Sequence, residues 1–534
     1  MSAPSIPAVL AAALLFVVHA HPVTAQALPG EGMDVEVLLR GGTVFDGSGA
    51  EGVRLDVGIT GDRIVFVGDA QSTAIDADRV IDASGLVVAP GFIDPHAHAQ
   101  GDLASNSRPR RQNLNYLAQG VTSVVVGNDG HGTFDIAGQI QVFEEPGIGT
   151  NAALLVGFGS VRGEVMGMRD ERPTEPELDQ MRALVDQAMR DGAVGLATGL
   201  FYAPQSFSTT DEVVDLARVS ASYGGVYDSH MRDESSYTIG LLGAVDEVIG
   251  IAEAAGIRAN ISHIKALGVD VWGQSADVIE RIQAARARGL EVTADQYPYE
   301  ASGSSLDASL LPRWAQAGGR EALMERLDDP EVRTRLVADM RENMRRRNGA
   351  DAMLITGGRD MSLRGKTLAE IAQERDQDPI ETAIDIIREG GAGIGSFNMN
   401  DEDIAAFMSA DFVMTGSDGS DGHPRKYGTY GRKIRRYVQE DSVLSLARMI
   451  HVSSGMPAQV FGLEGRGAIE EGAFADIAVF DLDEVRDEAT FLEPTKLATG
   501  MRYVFVNGRL AIDDGEATGD LAGRVLRRTS RPIS

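Results

Sequence analysis

The sequence predicts a parallel (β/α)8 barrel that carries a small β-sandwich domain built from both chain ends. Three observations carry this prediction. Apolar, strand-like runs alternate with amphipathic helical stretches through the middle of the chain, which is the pattern of a parallel α/β barrel. Short strands separated by glycine turns fill residues 33–89 and return with the same texture in 466–530. A chain of 534 residues is also too long for one small core, so a large barrel with an accessory domain is the economical arrangement.

In chain order, Ala8–Val18 is an apolar run of signal-peptide length, too short to cross a bilayer comfortably. Small residues follow at Val23-Thr-Ala25 and Ala25-Gln-Ala27, although the leader has no Lys or Arg beyond its free amine. Residues 1–25 therefore read as an export signal, with a periplasmic or secreted mature chain that has no membrane span. The N-terminal half of the β-domain follows in Val35–Leu39, Asp56–Thr60 and Arg63–Val67, and its C-terminal half in Asp476–Asp481 and Tyr503–Gly508. The barrel, residues 90–465, draws its strands from Leu86–Ile93, Thr122–Gly127, Ala152–Phe158, Val194–Thr198, Gly225–Asp228, Arg258–Ser262, Glu291–Ala294 and Phe412–Thr415. Helical patterns such as Glu175–Asp191 and Thr238–Ala255 lie between them. The long gap at about 304–410 holds helical segments of its own, Arg320–Arg347, Thr367–Arg375 and Ile380–Glu389, and reads as an insertion able to lid the barrel mouth.

A formal net charge of −30 argues against nucleic acid or an anionic membrane surface as partner. It also means that an anionic substrate needs local basic residues. The absence of cysteine excludes disulfides, thiolate ligands and a cysteine nucleophile.

The chemistry concentrates at strand ends. His96 and His98 follow the first strand at i, i+2, which on a strand places both imidazoles on one face, suited to a borderline metal such as zinc. Asp129 follows the second strand, His230 the fifth, His263 the sixth and Asp418 the eighth. In a barrel these are C-terminal ends facing one mouth. Four imidazoles and two carboxylates converging there make a mononuclear or binuclear site for a divalent ion. Any one of these residues alone would read as structural, and Asp418 alone as a Ser-Asp-Gly turn.

The order of Phe92-Ile-Asp-Pro-His-Ala-His98, Ser229-His-Met-Arg-Asp-Glu234, Ile261-Ser-His-Ile-Lys265, Asp295-Gln-Tyr-Pro-Tyr299 and Gly416-Ser-Asp-Gly419 resembles the amidohydrolase superfamily. More narrowly it resembles the N-acyl-D-amino-acid deacylases, from about residue 33 to 525. The resemblance implies that His96, His98 and Asp418 hold the more buried metal and His230 and His263 a second, with zinc expected at one or two ions per chain. It also implies that Tyr202 faces the substrate carbonyl, that Lys265 and Tyr297 line the pocket, and that Arg425 clamps a substrate carboxylate. Two departures stand out. The family's Val-Gly-Asn-Cys-Gly is here Val126-Gly-Asn-Asp129-Gly, which implies a carboxylate in the bridging position. Gly303 stands near a substrate-contacting serine of the pattern, for which Ser302 or Ser304 could substitute.

The resemblance implies metal-dependent hydrolysis of a linear amide, N-acyl-D-amino acid to D-amino acid and carboxylate. Divalent metal lowers the pKa of water and polarises the carbonyl, Tyr202 or a neighbouring donor helps hold the oxyanion, and Asp418 moves the proton to the leaving amine. The substrate is a small amide bearing a carboxylate, for which the guanidinium of Arg425, in the basic stretch up to Arg436, is a natural bidentate partner. Alternatives are a dipeptidase or a cyclic-amide amidohydrolase on the same fold, and a non-catalytic binding barrel. His423 is left between pocket and packing, and His131 and His451 are read as structural or solvated.

Overall fold

The computed structural model describes residues 33–528; the expected export signal lies outside them. Segments near both chain ends form one nine-stranded mixed sheet, although the last described strand, Val525–Leu526, leaves the expected 466–530 half-domain to pair with barrel strand Asn151–Gly157. The mixed sheet's N-terminal strands are Met33–Val44, Val53–Thr60, Arg63–Gly68, Ile75–Asp82 and Val87–Pro90, and its C-terminal strands are Ile477–Phe480, Met501–Val506, Arg509–Asp513 and Glu516–Ala517. The halves join where Val87–Pro90 pairs antiparallel with Ile477–Phe480. Leu39, Val57, Ile59, Ile64, Ile477 and Phe505 form the core enclosed by this sheet. A buried polar network pins the sheet to the barrel. Asn151 Nδ2 donates to Asp476 Oδ2 (3.0 Å), Asn507 Nδ2 donates to Asn151 Oδ1 (2.8 Å), and Arg466 is ion-paired with Asp476.

The barrel strands are Phe92–Asp94, Val121–Val126, Asn151–Gly157, Gly195–Gly199, Val226–His230, Arg258–Ile261, Val292–Gln296 and Val413–Thr415, all parallel. Most are buried along their whole length, as both faces of a barrel strand must be. Between them the helices are well marked. Glu175–Asp191, for example, starts with a capping box of Thr174 and Glu177 and ends at Gly192 in the left-handed region.

The expected run Leu86–Ile93 is two strands rather than one. It breaks at Gly91, so that Val87–Pro90 belongs to the end domain and Phe92–Asp94 opens the barrel. A Cβ at Gly91 would overlap the Thr122 side chain of the neighbouring strand. A Gly91→Ala substitution is therefore expected to destabilise the protein by about 1–3 kcal/mol, measured as a lower urea midpoint at an unchanged slope.

Between the first and eighth strands side chains complete the ring. Asp94 Oδ1 accepts from the backbone N–H of His96 (3.1 Å) and of Ser417 (3.0 Å), and the single Tyr430 Oη proton is shared between the carbonyls of Ile93 (3.3 Å) and Thr415 (3.1 Å). Asp418 N–H donates to His96 O at 2.8 Å, which locks two of the expected site residues together through their backbones.

After the seventh strand, Ala301–Ser305, Met353–Gly358 and Ala392–Phe397 form an antiparallel three-stranded sheet with a core of its own, including Leu310, Leu336, Met340, Ile355, Ile384 and Ile394. The helical run expected at Arg320–Arg347 is split into Gly319–Asp328 and Pro330–Arg346, because Asp329 caps the second helix and Pro330 cannot continue the first. Among the described residues, no helix is long and apolar enough to cross a membrane.

Candidate metal centre and active site

Asp129 sits at the centre of the barrel mouth. Its Oδ1 lies 3.4 Å from His96 Nε2, His230 Nδ1 and His263 Nε2, and its Oδ2 lies 3.4 Å from His98 Nε2. Asp418 Oδ1 is 3.0 Å from His98 Nε2 and 3.8 Å from His96 Nε2. His230 Nδ1 and His263 Nε2 are 2.9 Å apart. The six residues that the strand ends nominated thus form one cluster, with the Asp129 carboxylate between the two histidine pairs. Donor atoms of His96, Asp129, His263 and Asp418 lie within 4.8 Å of one another, as do those of His230, Glu234 and His263.

This donor set fits a divalent cation. Imidazole nitrogens and carboxylate oxygens converge in a buried place, and His96 Nε2, His230 Nε2 and Asp129 Oδ1 have no hydrogen-bond partner there. Buried polar groups of this kind are costly unless paired or bound to a metal. Burial would raise the carboxylate of Asp129, but the facing imidazoles of His96 and His230 hold it well below the usual range. Burial lowers His96 far below an ordinary imidazole. In His98 and His263 burial is outweighed by carboxylates, which push them up to about 9 and about 10. The carboxylates thus favour a cation at these nitrogens, and a metal displaces the proton that otherwise fills that need.

The backbone is strained where it presents these groups. Asp129, His263 and Asp418 have φ of 57°, 36° and 47°, a left-handed conformation that costs such residues about 1–3 kcal/mol each. Each is held by a specific bond. Gln205, fully buried, accepts from Gly199 N–H (2.7 Å) and donates to Asp129 O (2.9 Å), and Asp295 Oδ1 accepts from His263 N–H (2.9 Å). Asp418 is tied to His96 O through its own amide. No periodicity or motif singles out Gln205; only its place in the fold does.

Glu234 is the other residue that strand-end reasoning passes over, although it lies one helical turn's spacing beyond His230. Its Oε1 is 3.1 Å from His263 Nδ1 and accepts from Lys265 Nζ at 2.6 Å. Lys265 Nζ also donates to His263 O (2.8 Å) and lies 2.7 Å from His263 Nδ1. A proton on Nδ1 shared with Glu234 would leave Nε2, 3.4 Å from Asp129 Oδ1, free to ligate a metal, as in carboxylate–histidine–metal pairs. Glu234→Gln is expected to weaken metal affinity about 10–100-fold, read by competition with a chelator.

A cavity of about 340 Å³ opens over the cluster, walled by Tyr202, Lys265, Tyr297, Ser304, Arg347 and Arg425 among others. The Tyr202 ring lies 4.7 Å from that of His230, and burial raises its phenol well above an ordinary tyrosine. Arg425 is 1% exposed. Its Nη1 is 2.7 Å from Asp418 Oδ2, its Nη2 donates to Ser420 Oγ (3.0 Å), and its guanidinium lies 4.5 Å over the Tyr297 ring. Gly303 explains one departure from the family pattern, since a Cβ there would come within 2.9 Å of Arg425 Nη2. His423 belongs to packing: Ala301 O lies 3.0 Å from its Nε2, and its Nδ1 accepts from Arg425 N–H (3.1 Å), which fixes the arginine's backbone. His131 is solvent-exposed and lies on the cavity rim, and His451 bonds the Gly47 carbonyl (2.8 Å) far from the cluster.

The sequence profile of the amidohydrolase family matches residues 79–512. The chain belongs to the amidohydrolase family. Within it, this amidohydrolase is 33% identical to the D-aminoacylase of Alcaligenes xylosoxydans xylosoxydans over 524 residues, covering 93% of this chain and 98% of the relative. It is equally similar, 33% over 522 residues, to the N-acyl-D-glutamate deacylase of the same organism, covering 92% and 97%. A solved D-aminoacylase superposes with a TM-score of 0.79 at 32% identity, covering 92% of this amidohydrolase and all of that chain; a binuclear metal centre has been described in D-aminoacylase. The N-acyl-D-glutamate deacylase of Bordetella bronchiseptica, solved with zinc and a phosphonate mimic of the tetrahedral intermediate, gives 0.79 at 31% identity, covering 92% and 100%. The barrel with a sheet domain drawn from both chain ends is the architecture these relatives share.

Proposed function

We propose that this amidohydrolase cleaves the linear amide of N-acyl-D-amino acids, releasing a carboxylate and a D-amino acid, and that its metal is zinc at one or two ions per chain. The observation that carries the proposal is the Asp129 carboxylate set between two pairs of imidazoles, beneath a cavity that also presents a guanidinium. The deacylase names of its relatives and the zinc of the Bordetella enzyme support the reading. His96, His98 and Asp418 would hold one ion, His230 and His263 the other, with Asp129 shared. When bound, such an ion acidifies water and polarises a carbonyl oxygen.

The chain's own groups do the rest. Asp418 takes a proton from the attacking water and returns it to the amide nitrogen as the C–N bond breaks. It starts the cycle ionised, since burial is outweighed by the Arg425 guanidinium and the imidazoles, which hold its carboxyl well below the usual range. Tyr202 keeps its proton and donates to the oxyanion. Arg425, stacked on Tyr297, meets the substrate carboxylate. Lys265, engaged with Glu234, contributes positive charge to the wall and steadies His263. The segment after the seventh strand, through Ser304, Ala308 and Arg347, walls the cavity against water. The apolar leader Ala8–Val18 supports an exported enzyme.

The test is metal content alongside turnover of N-acetyl-D-amino acids and their L-isomers. Zinc in the purified protein with D-selective hydrolysis is the expected result. Bound metal with no turnover of either isomer would overturn the substrate assignment.

A further inference from the structure

Arg347 caps the C-terminus of helix Pro330–Arg346 and is 2% exposed. Val269 N–H donates to Arg346 O (3.3 Å), which docks this helix end on the loop after the sixth barrel strand and sets Arg347 in the cavity wall near Phe201, Leu267 and Ala308. Its Nε donates to Tyr237 Oη at 2.7 Å, whereas its Nη1 is buried without a hydrogen-bond partner. Beside it, Arg313 lies 3.5 Å over the Phe201 ring and 5.7 Å from that of Tyr237, and its Nη2 is also buried and unpartnered. Burial and the neighbouring Arg347 push Arg313 down to about 10. Among the described residues, neither guanidinium forms an ion pair. Asp233, whose charge reaches Arg313, is committed to the backbone N–H groups of Ser235 (2.9 Å), Thr238 (2.5 Å) and Gly240 (3.0 Å).

A buried guanidinium, Arg347, beside a half-buried one whose Nη2 is buried, with no anion for either, is expensive. A chain with 79 acidic residues against 49 basic ones has no shortage of carboxylates to supply. The cation at this wall is therefore better explained as a ligand contact than as part of the fold. It is separate from Arg425, which arises after the eighth strand and is paired with Asp418. A cavity of about 340 Å³ with cationic groups from two different segments suits a small ligand carrying two anionic groups.

We propose that Arg347, with Arg313 beside it, binds a second carboxylate on the substrate, so that the enzyme selects N-acyl-D-amino acids with acidic side chains, of the aspartate and glutamate class. This rests on the deacylase reading above. The zinc-loaded full chain is assayed with N-acetyl-D-glutamate, N-acetyl-D-aspartate and N-acetyl-D-leucine, as wild type, R347M and R347K, and glutarate binding is measured by calorimetry. The expected result is an acidic-over-neutral preference in kcat/KM that falls about thirtyfold in R347M, carried mainly by KM. R347K should recover part of it, since it restores charge without the fork, and glutarate should bind the wild type more tightly than R347M. A wild type that prefers leucine, or an R347M that leaves the acidic-over-neutral ratio unmoved, overturns the proposal. If no N-acyl-D-amino acid is turned over, the deacylase reading falls by itself. Glutarate binding that depends on Arg347 would then still support the anion site, and its absence would overturn that as well.

Discussion

Asp129→Asn is expected to leave a folded protein that has lost most of its metal and at least a thousandfold in kcat/KM, about 4 kcal/mol of transition-state stabilisation. The substitution keeps volume and shape and removes only the charge, so a fold effect is not its main consequence. It acts on the one side chain that faces all four imidazoles at 3.4 Å. With an amide there, His98 and His263 lose an anion that favours a cation at their nitrogens, and neither histidine pair keeps a shared ligand. Metal analysis after dialysis, with circular dichroism for the fold, gives the answer. An Asp129→Asn protein that retains two metals and near-normal turnover would mean that the carboxylate bridges nothing.

Asp418→Asn is the second large effect, and it separates chemistry from metal binding. General acid–base catalysis contributes about 10²–10⁴-fold, so kcat should fall by that factor. Some metal should remain, because His96, His98 and Asp129 are untouched. Arg425 loses its ion pair in the same variant, so KM gives an internal check: a guanidinium released from Asp418 is free to meet the substrate carboxylate, and KM should not rise. Loss of kcat together with loss of all metal would instead make Asp418 a ligand first and a base second. Turnover at the wild-type rate would remove it from the mechanism.

The centre is legible in the sequence to different depths. The i, i+2 histidines and the single residues closing strands two, five, six and eight stand out because strand ends in a parallel barrel share one face. Glu234, Gln205 and Asp295 do not, since each acts through a neighbour: Glu234 on His263 Nδ1, Gln205 on the Asp129 carbonyl, Asp295 on the His263 amide. Hydrophobic periodicity carries no trace of such bonds. The division of Leu86–Ile93 at Gly91 is hidden for a similar reason, since the apolar run is unbroken and only the close approach of Thr122 reveals where one sheet hands over to the other.

By itself, the sequence determined the element order, the class of the barrel, the two-ended β-domain and the six polar residues that gather at the barrel mouth. All of these are encoded locally, in the period of apolar residues and in the polar residue that closes each strand. The tertiary structure alone decided which atoms meet. It placed Asp129 between the histidine pairs, joined His98 to Asp418 across 320 positions of chain, turned Arg425 onto Asp418, and left Arg347 buried in the cavity wall without an acid. These are contacts between distant segments, fixed by how the barrel closes and by how the segment after the seventh strand docks on it. No local pattern contains that information.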